Sequence, residues 1–552
     1  MERLLKARLL ELQERWRAFD ARTRKLQQVL GWVLPVLAVV AWVVAIHATG
    51  RSPGGDGPHV LGTAMRLAQQ LRGFDLGTLI LCWNSLLGPH PPLAYLPGVV
   101  AYTLLGSTTP WAHLFASGLV LMLLWDALRR MGAGPVGAIW LAAAGGIWLQ
   151  AEIYGVDFVA SAAVLQSISH LVASERLSKR LNVIGWGAWM GVAFMSKYTA
   201  PLYLVGPCLL AGWWTLRNKQ WKHLGFAVLA FGVVALPWYL PHLQRLVLYI
   251  TSSSDTSNPE LTSHQLLNTW DLDRFTWYLG VLLDNFGRVG LAVALPALLW
   301  WKRRHDLKIE SWSVPMMALV VGYLLLCAQT QRQARYLTPA LPLIAAMVGS
   351  SRLRWLTAPV GAVGLYGAAA IYGTWTDVPS SRSFQHELST AGSTWPWPPE
   401  PLQPFSLSGE EMGLPGAVER LALAHGDEEG TVGLMVVDTD PGAPSFGLFL
   451  YEVNRAGNQW HIATPNMRGG GHDLQSYVGP FAMEDWPDRD FDTALAILPQ
   501  GQEQRQDWLR RYGLEQQESW DMPHGTGSIW TRVRERPPST ESVPQGLDPV
   551  HR

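Results

Sequence analysis

Residues 29–48 read VLGWVLPVLAVVAWVVAIHA, without a single Lys, Arg, Asp or Glu, and lead into Gly54-Gly55-Asp56-Gly57-Pro58-His59. A bilayer core needs about 20 apolar residues per helix, so this run is a membrane span and Asp56 a carboxylate placed where the span reaches water. The flanking glycines and Pro58 predict a turn that a substrate can approach closely. Further along the same loop comes Pro89-His90-Pro91-Pro92-Leu93, whose prolines stiffen the chain beside it. As a helix cap or a solvated loop residue Asp56 would need no further role. At a membrane surface it is also suited to act as a base or a metal ligand.

The rest of the chain agrees with a membrane setting. Of 552 residues, 49% are hydrophobic and 16% charged, with 28 Trp, too apolar and too aromatic for an ordinary soluble enzyme. A formal net charge of zero excludes a strongly basic nucleic-acid binder, so no nucleic-acid partner is expected. No zinc-type or Walker-type spacing occurs, which argues against an ATP-driven pump. Cys82, Cys208 and Cys327 are scattered and read as packing residues.

Ten further apolar stretches read as spans: 111–128, 135–150, 158–173, 183–195, 200–216, 224–240, 286–301, 314–328, 337–349 and 355–372. Alternate connections carry the cations: Arg129 and Arg130; Arg176, Lys179 and Arg180; Arg217, Lys219 and Lys222; Lys302, Arg303, Arg304 and Lys308; Arg352 and Arg354. That alternation is a positive-inside pattern with a cytoplasmic N-terminus. It holds if residues 93–105, apolar but short, lie along or dip into the outer face without crossing. The outer loops then contain Asp56, His90, Glu152, Asp157, Lys197, Arg332 and Arg335, and the C-terminal part is extracytoplasmic. The expected localisation is the plasma (inner) membrane, multi-pass.

Residues 1–28 place Leu5, Leu9, Leu12, Trp16 and Phe19 on one helical face and many cations on the remainder. This predicts a retained basic amphipathic helix on the cytoplasmic leaflet, with a solvated topology-setting helix or a coiled-coil contact as alternatives. The membrane domain runs over 29–375. A stiff Pro/Trp-rich linker, 376–404, leads to a soluble domain at 405–534 and a disordered tail at 535–552. Strands are read at 432–437, 460–463, 493–498 and 529–533, and helices at 446–453 and 502–512. The fold class is mainly α: a polytopic bundle of about eleven transmembrane helices with juxtamembrane helices in the first outer loop, followed by a small extracytoplasmic α/β domain.

Asp56, Asp157 and Glu152 fall on the same side, and such clustering suits divalent-cation binding or activation of an acceptor nucleophile. Lys197, in Met195-Ser196-Lys197-Tyr198, and Arg335, in Arg332-Gln333-Ala334-Arg335-Tyr336-Leu337-Thr338-Pro339, supply the opposite charge. Cations at headgroup level can clamp a phosphate that joins a lipid to a sugar, or can snorkel to lipid headgroups. His90 can be a phosphate ligand, a general acid or only a loop histidine.

The order of these features resembles the GT-C superfamily of integral-membrane glycosyltransferases, in particular the protein O-mannosyltransferase and lipid A aminoarabinose transferase branch. Asp56 matches the acidic residue of the first outer loop, His90-Pro91-Pro92-Leu93 a His/Lys-Pro-Pro-Leu motif, and Asp157 the acidic residue of the second outer loop. Ser196-Lys197 resembles a Thr/Ser-Lys segment and Leu236-Pro237-Trp238-Tyr239 a Pro-Trp-Tyr segment. Arg335-Tyr336-Leu337-Thr338-Pro339-Ala340-Leu341-Pro342 resembles an Arg-Tyr-Leu-x-Pro-x-x-Pro segment.

The resemblance implies transfer of a sugar from a polyprenyl-phosphate carrier to a lipid, glycan or protein acceptor on the outer side, usually with inversion. Asp56 and Asp157 are then the catalytic candidates, and His90, Lys197, Arg335 and Tyr336 the donor-phosphate ligands. A divalent metal, Mg or Mn, at Asp56, Asp157 and Glu152 stays open, since the superfamily is mixed on this point. Gly57 departs from the mannosyltransferases, which carry a second acidic residue there, and leaves Asp56 to act alone or with Asp157. Two rivals remain: a lipid or solute transporter or flippase, and an oligosaccharide ligase using a lipid-diphosphate glycan. The transporter is disfavoured because neither broken midplane helices nor internal repeats are evident.

Overall fold

The computed structural model describes residues 57–73, 91–106, 110–253, 272–299, 310–329, 334–351, 353–373, 414–425, 429–436, 459–463, 493–498, 510, 514–522 and 525–532. The N-terminal segment and first span, the linker, the tail, the helix read at 446–453 and nearly all of that at 502–512 lie outside the described residues.

Fourteen described α-helices occur in chain order. The first eight are α1 (Gly57–Arg72), α2 (Leu96–Leu105), α3 (Pro110–Arg130), α4 (Gly134–Ala143), α5 (Gly145–Ile153), α6 (Val156–Ala173), α7 (Arg180–Phe194) and α8 (Leu202–Asn218). There follow α9 (Trp221–Ser253), α10 (Leu272–Leu299), α11 (Glu310–Ala328), α12 (Ala340–Ser350), α13 (Arg354–Gly373) and α14 (Leu414–His425). Two 3-10 turns, Pro92–Tyr95 and Ala334–Leu337, precede α2 and α12. Among the described residues three helices are long and apolar enough to cross a membrane, within α3, α6 and α9. At the centre sits α6, buried along its length except at His170 and Ala173, with α3 and α7 against it. By contrast α9 exposes Val228, Leu229, Val233, Leu236, Leu240 and Leu243, the outer surface that a lipid environment favours. With 10 residues, α2 rises about 15 Å, half a bilayer core, in keeping with a segment that does not cross.

Two spans depart from their sequence reading. The stretch 135–150 is two helices, broken where Ala144 turns extended (φ −79, ψ 109). Gly145 and Gly146 weaken the helix there, and Asn285 of α10 accepts the Gly146 N–H at 2.7 Å, so the break is held by a neighbouring helix. The span read from residue 286 begins at a kink inside α10, where Gly287 adopts φ 69. A positive φ is open to glycine at little cost.

Close helix contacts rest on small residues, as is common where helices pack in lipid. A Cβ on Gly187 would lie 2.1 Å from the Ala227 carbonyl oxygen between α7 and α9. On Gly206 it would lie 2.3 Å from that of Met317 between α8 and α11.

Two of the basic connections, at Arg129–Arg130 and at Arg176, meet at the C-terminal end of α6. Arg129 and Arg130 pair with Asp126 at 3.0 and 2.7 Å, Arg130 approaches His170 at 3.3 Å, and Arg176 pairs with Glu310 at the start of α11. Asp157 lies at the other end of α6, about 20 Å away along its axis. The helices therefore separate cationic loops from the candidate site.

The C-terminal strands β1 (Glu429–Val436), β2 (Gln459–Ala463), β3 (Thr493–Leu498), β4 (Leu514–Met522) and β5 (Gly525–Arg532) form one mixed sheet in the order β2-β1-β3-β5-β4. Pairing is parallel for β2-β1-β3 and antiparallel for β3-β5-β4. Packed on β3 and β5, α14 buries Leu414, Ala417, Val418 and Leu421, a stripe at helical spacing. Neither α14 nor β4 is among the elements read from sequence.

Candidate functional site

Asp157 owes its place to a sharp junction between two helices. Tyr154 closes α5 in the left-handed conformation (φ 49, ψ 50), Gly155 is extended, and α6 restarts at Val156, which puts Asp157 in its first turn. A carboxylate there faces the positive end of the helix dipole. The Tyr154 hydroxyl accepts the Gly98 N–H at 2.9 Å, one of the donors left over at the start of α2, and so ties this junction to the segment after the Pro-Pro-Leu motif.

Lys197 comes from the turn that ends α7. Ser196 donates its hydroxyl to Val192 O at 2.7 Å, and the backbone N–H groups of Ser196 and Lys197 both reach Ala193 O, at 3.1 and 3.2 Å. This tight turn delivers the lysine side chain into the protein. Its Nζ lies 2.5 Å from Asp157 Oδ2, with side-chain exposures of 7% and 2%. Burying either charge alone would be very unfavourable, so each requires the other.

The third member is Tyr336, in the 3-10 turn Ala334–Leu337. Lys197 Nζ sits 5.0 Å from the centre of its ring, within cation–π range. Tyr203 of α8 donates its hydroxyl to the Tyr336 carbonyl at 3.0 Å, and Thr338 closes the turn by donating N–H and hydroxyl to Arg335 O at 3.0 and 2.6 Å. Burial pushes the Tyr336 phenol above its ordinary pKa, with Arg335 opposing, so the phenol is a neutral hydrogen-bond donor near neutral pH.

Two further motif segments close on the same turn. Pro91 is extended (ψ 154), as a residue before proline should be, and Pro92 opens the 3-10 turn. Leu93 then donates its N–H to Met195 O at 2.9 Å. From α9, Tyr239 donates its hydroxyl to Phe194 O at 2.7 Å, while Leu93, Tyr198, Phe231 and Tyr239 pack on Met195, Ala235 and Trp238.

Of the residues expected from sequence, Asp157, Lys197 and Tyr336 are therefore in contact, with half-buried Arg335 beside Tyr336. Glu152 lies in the last turn of α5, its side chain outside the described residues, as are Asp56 and His90 altogether. Tyr154 and Tyr203 hold the site but were not singled out as site residues; the Tyr154-Gly155 pair at a helix end is the one signal that marks the junction.

Two of the three acids expected to hold a divalent cation, Asp56 and the Glu152 side chain, lie outside the described residues. The Asp157 carboxylate is engaged by an ammonium, and no group of three His, Cys, Asp or Glu converges among the described residues.

No protein-family model matches the chain, and no curated protein does. Among solved structures it is similar to the crystal structure of ArnT from Cupriavidus metallidurans in the apo state, with a TM-score of 0.56 and 13% identity, over 92% of this chain and 98% of that one. The same protein bound to undecaprenyl phosphate gives a TM-score of 0.56 and 13% identity, over 92% of this chain and 99% of that one. ArnT, the lipid A aminoarabinose transferase, is a GT-C enzyme. The chain therefore shares its fold with ArnT over nearly the whole of both chains.

Proposed function

We propose that the protein is an integral-membrane glycosyltransferase of the inner membrane that moves a sugar from a polyprenyl-phosphate carrier to an acceptor on the extracytoplasmic side, with inversion. One observation carries this reading: the Pro-Pro-Leu, Ser-Lys, Pro-Trp-Tyr and Arg-Tyr-Leu segments, distant in sequence, meet around the buried Asp157–Lys197 pair. Likeness of fold to a structure bound to undecaprenyl phosphate supports a carrier of that chemistry.

In this mechanism the acceptor hydroxyl or amine gives its proton to Asp56 as its oxygen or nitrogen attacks the anomeric carbon. The bond from that carbon to the phosphate oxygen breaks, and its electron pair leaves with the polyprenyl phosphate. Lys197, Arg335, His90 and the neutral phenol of Tyr336 stabilise the charge collecting on that phosphate. Asp157 acts as a positioning residue, keeping Lys197 charged and oriented in a site with little water. No step requires a metal.

The test is incubation of purified protein with a polyprenyl-phosphate monosaccharide. Release of free polyprenyl phosphate, dependent on an acceptor, is the expected result. Release only from lipid-diphosphate glycans would identify an oligosaccharide ligase, and movement of intact lipid without release would identify a carrier.

A further inference from the structure

Trp238 is 3% exposed, in the middle of the Pro237-Trp238-Tyr239 segment of α9. It packs on Met195, with Tyr198 against the same cluster, and these two residues bracket Ser196-Lys197. The ring is fixed from both sides: it stacks on His242 with centroids 4.9 Å apart and meets Tyr239 edge-on at 5.0 Å. His242 Nδ1 in turn donates to the Trp238 carbonyl at 2.6 Å, as it must, because a carbonyl only accepts.

In this rigid setting the indole N–H has no hydrogen-bond partner among the described residues. A buried donor without an acceptor costs free energy that phenylalanine in the same place would avoid. An indole nitrogen can only donate, and the neighbouring charge, on Lys197 two residues along the chain from Met195, is a cation. The complement of both is a group that only accepts hydrogen bonds and is anionic. A phosphate ester meets that description; a sugar hydroxyl meets it in part.

We propose that Trp238 donates its indole N–H to a phosphate oxygen of the polyprenyl-phosphate donor, which makes it a donor-binding residue of the site. This rests on the glycosyltransferase reading given above and adds to it a ligand that is uncharged and insensitive to pH.

The experiment compares the full-length protein with Trp238→Phe, and with a form in which benzothienylalanine replaces Trp238, keeping the bicyclic shape but substituting sulfur for N–H. Affinity is measured for polyprenyl monophosphate without sugar, for the corresponding polyprenyl alcohol and for the sugar-bearing donor, together with the melting temperature of the ligand-free protein. Both altered forms should bind the two phosphate lipids about ten-fold more weakly, bind the alcohol as before, and melt no lower than the natural protein. Equal affinity for polyprenyl monophosphate in all three proteins overturns the proposal. So does a loss confined to the sugar-bearing lipid, which places the acceptor on the sugar, or a weakening that follows a lowered melting temperature in both altered forms, which marks a packing role. If the natural protein itself does not prefer the phosphate to the alcohol, the glycosyltransferase reading falls with it.

Discussion

Lys197 Nζ and Asp157 Oδ2 meet at 2.5 Å across the junction between the turn after α7 and the first turn of α6, and both side chains are buried. Sequence reading gives the two residues separate tasks, an acid for catalysis or metal and a cation for phosphate. Their contact makes them one electrostatic unit. Burial pushes the Lys197 ammonium below its ordinary pKa, the Asp157 carboxylate opposes that push, and the nearby Tyr336 face offers a second weak partner.

Removing either member should leave the other buried and uncompensated. Asp157→Asn and Lys197→Met are each expected to destabilise the protein by about 3–5 kcal/mol, while the double variant recovers most of that loss. Thermal unfolding in detergent measures this cycle. Donor turnover should stay lost in the double variant, because stability returns without the cation. Additive destabilisation by the two changes would show that the residues do not depend on each other.

Because the Asp157 carboxylate is committed to an ammonium, transfer is expected to continue at an unchanged rate in excess EDTA. Activity that disappears with chelator and returns with Mg or Mn would restore the metal role expected from clustered acids, and would move its ligands to Asp56 and Glu152.

What the sequence made legible follows the physics of each signal. Long apolar runs declare themselves, so α3, α6, α8 and α11 lie within a few residues of their expected spans. The break at Ala144 is not visible locally, because the acceptor that holds it, Asn285, arrives from α10. Strand β4, LEQQESWDM, is exposed over most of its length and shows no apolar alternation; only its pairing with β5 makes it a strand. At the site, residue types and order pointed to Asp157, Lys197 and Tyr336, but charge pattern alone does not say whether two opposite charges face a ligand or each other.

The separation of the basic connections at Arg129–Arg130 and at Arg176 from the Asp157 end of α6 has a topological consequence. A cysteine introduced after Arg534 should react with an impermeant thiol reagent on intact spheroplasts, and one introduced at Ser178, between α6 and α7, only after lysis. The opposite pattern would place the candidate site in the cytoplasm, where a polyprenyl-phosphate mechanism loses its rationale.

Asp56→Asn keeps the side chain's shape and hydrogen-bonding capacity but removes the basic group. It is expected to lower turnover by about 10²–10⁴-fold with donor affinity and thermal stability unchanged. Steady-state kinetics with saturating donor separates these effects. Near-normal turnover would transfer the role of base to another group, with His90 the next candidate.

Arg335 stands in the same 3-10 turn as Tyr336, whose carbonyl is fixed by Tyr203 and whose ring lies against Lys197. That turn is closed by Thr338 on the Arg335 carbonyl, so the backbone from which the guanidinium projects is held firmly. A guanidinium can give two charge-assisted hydrogen bonds to phosphate oxygens, whereas an ammonium offers a point contact on a more flexible stem. Arg335→Lys should therefore raise the apparent KM for the donor by about ten-fold or more, although charge is conserved. Arg352→Lys, in one of the basic connections, should leave it unchanged. Equal and small effects of the two substitutions on donor KM and turnover would make Arg335 a headgroup anchor and leave Lys197, His90, Tyr336 and the Trp238 N–H as the proposed phosphate ligands.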